Sequence, residues 1–342
     1  PNRQGFDLFY GYNCQREAHN FYPDHLWRND RKIDLEGNSR GLIGGQYSHD
    51  LLEAEALRFI RDNRDGPFFA YIPFTIPHLA LQVPEDSLVE YAGAWDDPPY
   101  DGKNGYLPHP TPRAAYAAMV TRMDRSVGRI LALVKELGLD QDTIVIFTSD
   151  NGGAFGTVTK EFEFLPGRMG GTDYVFFEST GKFRAFKGSV YEGGIRVPFL
   201  ARWPGRIKPG SVSDLPAVFY DVMPTLCEIA GARPPRETDG VSLAPTLLGT
   251  TGQRRHEFLF WDFGGYGGQQ AMRMGDWKAV RRNIHRGNTT LELYHLGKDP
   301  GERNNVADQN PAIIQRFEKR MAREHLPSPL FPFKELDERG KD

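Results

Sequence analysis

Cysteine is scarce: 342 residues contain only Cys14 and Cys227. Two cysteines allow at most one bridge and exclude a disulfide framework. No apolar run approaches the roughly 20 residues a membrane-spanning helix needs. Neither sign of charge dominates, since 42 Lys and Arg face 45 Asp and Glu for a net charge of −3. The two signs are interspersed, which excludes a polybasic membrane patch and the footprint of a nucleic-acid-binding face. Cys/His zinc spacing, a phosphate-cradling Walker loop and a helix-borne His-Glu-x-x-His are all missing. Gly264-Gly265-Tyr266-Gly267-Gly268 does not lie between a strand and a helix. It therefore reads as a flexible loop rather than a dinucleotide fingerprint. There are no internal repeats.

What is present is an ordinary globular composition, 39 % hydrophobic and 25 % charged, with 37 glycines and 25 prolines. Such a chain carries long ordered loops, where sites usually sit. Its length predicts a large domain and a smaller one. Residues 1–45 read as irregular with one short strand pair. Ser48 is placed to cap a helix to about Asn63, with Leu51, Leu52, Phe59 and Ile60 on one stripe. Phe68-Phe69-Ala70-Tyr71-Ile72 follows Gly66-Pro67 and reads as a buried strand. Thr111-Pro112 opens a helix with apolar residues from Tyr116 to Leu137 at helical spacing, and Gly138 stops it. Thr143–Thr148 is a second buried strand. Strand, helix, strand predicts a parallel α/β sheet. Val197–Ala201 is a further strand, and Asp221 caps a helix ending at Gly231. From about residue 256 four short strands and a helix from Asn310-Pro311, with Ile313, Ile314, Phe317 and Met321 inward, predict a small α+β subdomain. The expected division is 1–254 and 255–342.

Three segments could carry chemistry. Asp150-Asn151 ends the strand at 143–148 and precedes two glycines. Ligands bind outside the carboxyl ends of strands in open α/β sheets, and oxygen donors suit a hard cation. An Asx-turn that merely ends the strand accounts for the same residues. His78 follows the strand at 68–72, at the same expected sheet edge; a lone His is more often structural. Lys187 sits in Phe186-Lys187-Gly188-Ser189-Val190-Tyr191-Glu192-Gly193-Gly194-Ile195-Arg196-Val197-Pro198, within a long Gly-rich loop from 152 to 192. A lone Lys is usually a solvated charge. Three such signals at successive sheet edges count for more than each alone.

Together these residues resemble the type I sulfatases of the alkaline-phosphatase-like superfamily, over essentially the whole chain. Thr148-Ser149-Asp150-Asn151-Gly152 is similar to that family's metal-binding turn, and Phe183 to Pro198 to its Lys-Gly-x-x-x-Glu-Gly-Gly-x-Arg-Val-Pro block. Gln4-Gly5-Phe6-Asp7 and Phe9-Tyr10-Gly11-Tyr12 resemble the stretch after its Gly-Lys-x-His segment. Met272-Arg273, Gly275-Asp276-Trp277-Lys278, Leu293-Tyr294 and Asp299-Pro300-Gly301-Glu302 resemble its C-terminal subdomain. The resemblance implies a mainly parallel sheet flanked by helices. It implies hydrolysis of a sulfate monoester with Ca²⁺ and a formylglycine nucleophile. Asp150 and Asn151 would be calcium ligands, His78 would bind sulfate and protonate the leaving oxygen, and Lys187 would contact the sulfate. His19-Asn20-Phe21-Tyr22-Pro23 and Leu26-Trp27-Arg28-Asn29 resemble bacterial relatives of arylsulfatases and N-acetylgalactosamine-6-sulfatases. Aryl sulfates and sulfated carbohydrates both suit such loops.

One part of the pattern is missing. Formylglycine is made from Cys or Ser in Cys/Ser-x-Pro-x-Arg, but Cys14 is followed by Gln15-Arg16-Glu17, Cys227 by Glu228-Ile229-Ala230, and no serine fits. The expectation is that the nucleophile, the first strands and an export leader lie upstream of Pro1. On that view this chain alone is inactive, the calcium site is incomplete, and the protein is periplasmic or secreted. Association with the missing portion or a second copy would cover the open sheet edge. The alternatives are a phosphatase or phosphodiesterase of the same superfamily, and an inactive fragment acting as a binding module. The first usually presents Asp-His where this chain has Asp150-Asn151, since imidazole suits zinc.

Overall fold

In the computed structural model, the described residues are 1–153 and 168–337, with two short strands, 157–158 and 164–165, in the interval. They divide into two compact units. The first comprises 1–143 with 168–177, and the second comprises 144–153, the two short strands and 178–337. Residues 255–337 lie wholly within the second.

In the first unit, β1 (Tyr10–Gly11), β2 (His25–Arg28) and β3 (Arg31–Asp34) form an antiparallel sheet, one strand more than the expected pair. Helix α1 spans Ser48–Asp62. Ser48 is its first residue rather than its cap, and the Ser48 hydroxyl accepts a hydrogen bond from the Tyr12 hydroxyl at 2.7 Å. Of the expected apolar stripe only Ile60 is fully buried, whereas His49 and Glu53 are. The reason lies in the packing. After the short α2 (Glu85–Leu88) comes α3 (Pro112–Glu136), which sets Ser126 against both polar groups. Pro112 opens α3 as expected, but Thr111 makes no side-chain cap. The Asp97 carboxylate instead accepts from the Arg113 and Ala114 amides, both at 2.9 Å. Phe21, Tyr22, Tyr47, Ile76, Leu79, Leu81 and Met119 form the core, and α4 (Tyr174–Phe177) completes the unit.

The second unit opens with β4 (Val145–Thr148), followed by β5 (Thr157–Val158), β6 (Phe164–Leu165), α5 (Glu192–Ile195) and β7 (Phe199–Arg202). Here the parallel expectation meets a correction. Within the described residues β4 pairs with β7, antiparallel, with Phe147 opposite Leu200. Every other ladder is antiparallel as well. The strand expected at 68–72 forms no ladder, and Phe69 and Tyr71 are exposed. A continuous apolar run signals burial on both faces but names no neighbour, and a parallel pair needs one laterally adjacent.

After α6 (Val222–Ile229) and α7 (Ala244–Leu248), the α+β subdomain takes the expected form. Strands β8 (Leu259–Phe263), β9 (Gln269–Met274), β10 (Trp277–Arg282) and β11 (Glu292–His295) form one sheet in the order β11-β10-β9-β8. Period-2 alternation divides its side chains. Met272, Ala279 and Leu293 pack on Phe317 and Met321 of α8 (Pro311–Glu324). Ala271, Val280 and Tyr294 pack on Val190 and Tyr191. The short α9 (Lys334–Asp337) ends the described chain. The 264–268 loop, expected to be flexible, is a tight turn, with Gly268 N–H donating to the Gly265 carbonyl at 3.1 Å. Both cysteines are free thiols.

Candidate active site

The turn after β4 is held by its own hydroxyls and by glycine. The Thr148 hydroxyl donates to the Pro198 carbonyl at 2.8 Å, and the Ser149 hydroxyl to the Asn151 carbonyl at 3.0 Å. The Gly152 amide then donates to the Gly194 carbonyl at 2.9 Å, and the Lys187 amide to the Gly153 carbonyl at 3.2 Å. These bonds require the two backbones to touch. A Cβ on Gly152 would lie 1.8 Å from the Gly193 carbonyl oxygen, and one on Gly193 would lie 2.2 Å from the Ala185 oxygen. Glycine is needed here for close approach rather than for flexibility.

The result brings Asp150, Asn151 and Lys187 into one locality. Asp150 is exposed, Asn151 and Lys187 half-buried. Burial pulls the Lys187 amine below the usual lysine range, and the Asp150 carboxylate opposes it. His78 is carried by the first unit. Its ring is half-buried, flanked by cis peptides at Ile76–Pro77 and Leu79–Ala80, and its Nδ1 lies 2.7 Å from the Leu79 carbonyl. A carbonyl only accepts, so Nδ1 carries the proton and Nε2 is the basic nitrogen of the neutral ring.

The Glu192 of the Lys187 segment does different work. Lys278, fully buried on β10, puts its Nζ 2.9 Å from Glu192 and 2.9 Å from Glu302. The Glu302 carboxylate also accepts the Glu192 amide at 2.6 Å. Burial raises the Glu302 carboxyl above the usual range. Burial works the same way on Glu192, but Lys278, then Arg273 and Arg196, outweigh it and hold that carboxyl low. Three sequence blocks thus meet at one buried ion cluster. It fixes the segment bearing Lys187 and offers no group for chemistry. Sequence spacing gave no signal of this meeting, since 86 residues separate Glu192 from Lys278.

A calcium ion is compatible with the donors present. Asp150 and Asn151 offer hard oxygen atoms at a strand end. Among the described residues no group of three or more His, Cys, Asp or Glu could hold a metal. Two ligands are a minority of the six to eight that calcium takes. No residue of the chain fits a formylglycine, because the sequence lacks the motif from which it is made.

The comparisons with known proteins bear on this geometry. A family model described as Sulfatase matches residues 1–232. The chain belongs to the sulfatase family. A second model, N-sulphoglucosamine sulphohydrolase, C-terminal, matches residues 181–326. Among curated sulfatases, mouse (Mus musculus) steryl-sulfatase is 36 % identical over 78 % of this chain and 36 % of its own length. A sulfatase of Formosa agariphila is 33 % identical over 81 % of this chain and 49 % of its own. Human arylsulfatase A is 32 % identical over 80 % and 50 %. The chain therefore spans between about a third and a half of these relatives. Among solved structures, Ps i-CgsB in complex with k-i-k-neocarrahexaose aligns with a TM-score of 0.73 and 25 % identity, covering 94 % of this chain and 67 % of that one. BT4656 in complex with its substrate D-glucosamine-2-N,6-O-disulfate aligns with a TM-score of 0.69 and 19 % identity, covering 93 % and 76 %. These likenesses give the alkaline-phosphatase-like fold. Among the described residues no helix is long and apolar enough to cross a membrane.

Proposed function

We propose that these residues are the part of a sulfatase that binds the sulfate group and protonates the leaving oxygen, in an enzyme that hydrolyses a sulfate monoester. The observation that carries this reading is the backbone lock between 152–153 and 187–194, which puts the Lys187 amine within the influence of Asp150. Lys187 contacts a sulfate oxygen and offsets its charge, as preorganised donors do where charge develops. His78 gives a proton from Nε2 to the leaving oxygen, a role typically worth ~10²–10⁴-fold. It must be protonated first, and the Nδ1 bond to the Leu79 carbonyl keeps Nε2 as the atom that gains and gives the proton. Asp150 and Asn151 hold a calcium ion with ligands from outside the described residues; when bound it polarises the sulfate oxygens. The nucleophile is formylglycine and lies outside these 342 residues.

Residues 255–342 act as a subdomain that braces the Lys187 segment. The substrate is an aryl sulfate or a sulfated carbohydrate, and the compartment is the periplasm or exterior. The test uses the protein expressed with its upstream coding region. Sulfate release is measured from an aryl sulfate and several sulfated sugars, beside the matching phosphate mono- and diesters, with and without a calcium chelator. Calcium-dependent release of sulfate is expected, and Asn151→His should weaken the calcium dependence, because an imidazole nitrogen replaces a hard oxygen. Preferential hydrolysis of the phosphate diesters would move the protein to the phosphodiesterase reading.

A further inference from the structure

We infer that His19 is a positioning residue for His78, an inference that rests on the reading of His78 as the proton donor. The two imidazoles stack, with ring centroids 4.9 Å apart and planes 7° from parallel. Tyr106 presents its ring edge-on to both, at 5.6 Å from His19 and 6.3 Å from His78. A proton donor works only if its ring plane is fixed, because the transferred proton lies in that plane. The Nδ1 bond to Leu79 fixes one point of the ring; a flat neighbour over its face fixes the plane. Stacked aromatic pairs at such separations favour the held arrangement by a factor of roughly 2 to 10.

The stack is built by residues whose partners are distant in sequence. The Ala80 amide donates to the His19 carbonyl at 3.4 Å. Gln82, fully buried, joins the loops that carry the two histidines. Its Oε1 accepts the Phe21 amide at 2.7 Å, its Nε2 donates to the Gly41 carbonyl at 2.6 Å, and its own carbonyl accepts the Tyr47 hydroxyl at 2.7 Å. On the other side, Tyr106 and Leu79 close over Gly170, where a Cβ would lie 2.9 Å and 2.7 Å from them. His19 therefore meets His78 through a braced backbone frame.

The test is imidazole ¹⁵N–¹H NMR on the 342-residue chain, which reads where the His78 proton sits without requiring turnover. His78→Gln and His19→Gln assign the two signals. In the parent chain the neutral His78 ring should be protonated at Nδ1 alone. His19→Ala removes the stack and should lower the ratio of the Nδ1-protonated form to the other tautomer by a factor of roughly 2 to 10. His19→Phe restores a flat face with no nitrogen and should restore the Nδ1-protonated form. His49 and His325 report the fold in the same spectra; if His19→Ala disperses their signals, His19→Leu, which keeps bulk without a π face, takes its place. A His78 signature unchanged by loss of the ring would overturn the inference, and so would failure of His19→Phe to restore it. Neither result touches the proton-donor reading, which fails separately if His78→Ala leaves sulfate release intact in the enzyme carrying its nucleophile.

Discussion

The two units hold their candidate side chains by different means. In the second, Lys187 and the Asp150-Asn151 turn are clamped by glycine backbones in contact and anchored by the Lys278 ion cluster. In the first, the Leu79 carbonyl and a ring stack bear on His78. Helices α1 and α3 of that unit are joined by a polar chain, in which the His49 Nε2 lies 2.8 Å from the Ser126 hydroxyl, which donates to Glu53, which also pairs with Arg129. The clamp tolerates no added atom, and the cluster no lost charge. The polar chain holds a buried imidazole kept neutral by burial, so a change of protonation disturbs it. A substitution or a change of pH should therefore strike the two units differently.

The largest effect is expected at Lys278. Lys278→Met leaves Glu192 and Glu302 buried without their cation, and breaking a buried pair costs about 3–5 kcal/mol. Urea unfolding should show that loss, and adding Glu192→Gln and Glu302→Gln should recover part of it; a loss below ~1 kcal/mol would mean the cluster is not the anchor.

Next in size is Gly152→Ala, whose Cβ would have to displace the Gly193 carbonyl. Overpacking of this kind costs about 1–3 kcal/mol, and Lys187 should shift with it. A Tm unchanged from the parent would show that the two backbones are not in contact.

The pH arm tests the first unit. Burial lowers His49 from 6.5 to about 4, against the opposing charges of Asp50 and Glu53. A depressed histidine is neutral when folded, so its contribution is complete above about pH 6.5 and is lost as pH falls toward 4. The full loss is about 3 kcal/mol. His49→Gln can still donate to Ser126 but cannot titrate, so its stability should fall less between pH 7 and pH 4.5 than the parent's. Equal slopes would contradict the buried neutral ring.

The smallest effect has the opposite sign. Gly128 is exposed on α3 with nothing near its missing Cβ, so Gly128→Ala should stabilise by ~0.5–1 kcal/mol. If it destabilises instead, the contrast with Gly152 is lost.

The second unit was the more legible in sequence, and the reason is local. Asp150-Asn151, Lys187 and the glycines at 193 and 194 act within short segments, so spacing alone displays them. The four strands and the inward face of α8 follow from periods of 2 and 3.6. Lys278 with Glu192 and Glu302, and His19 with His78, meet only after folding, and no short-range pattern links them. The apolar run at 68–72 has the pattern of a buried strand, yet Phe69 and Tyr71 are exposed and unladdered. Hydrophobicity indicates that a segment wants a neighbour; it does not say which residues supply one. The same gap hid the antiparallel pairing of β4 with β7.

In the proposed function these residues serve a nucleophile they do not contain. The most direct measurement expresses residues 1–342 alone and with the upstream coding region, follows sulfate release from an aryl sulfate, and examines each protein for formylglycine by mass spectrometry. Turnover is predicted only in the longer protein, together with a formylglycine in Cys/Ser-x-Pro-x-Arg, and lost when that residue is changed to alanine. Turnover by residues 1–342 with no formylglycine present would contradict the account and require a nucleophile within this chain.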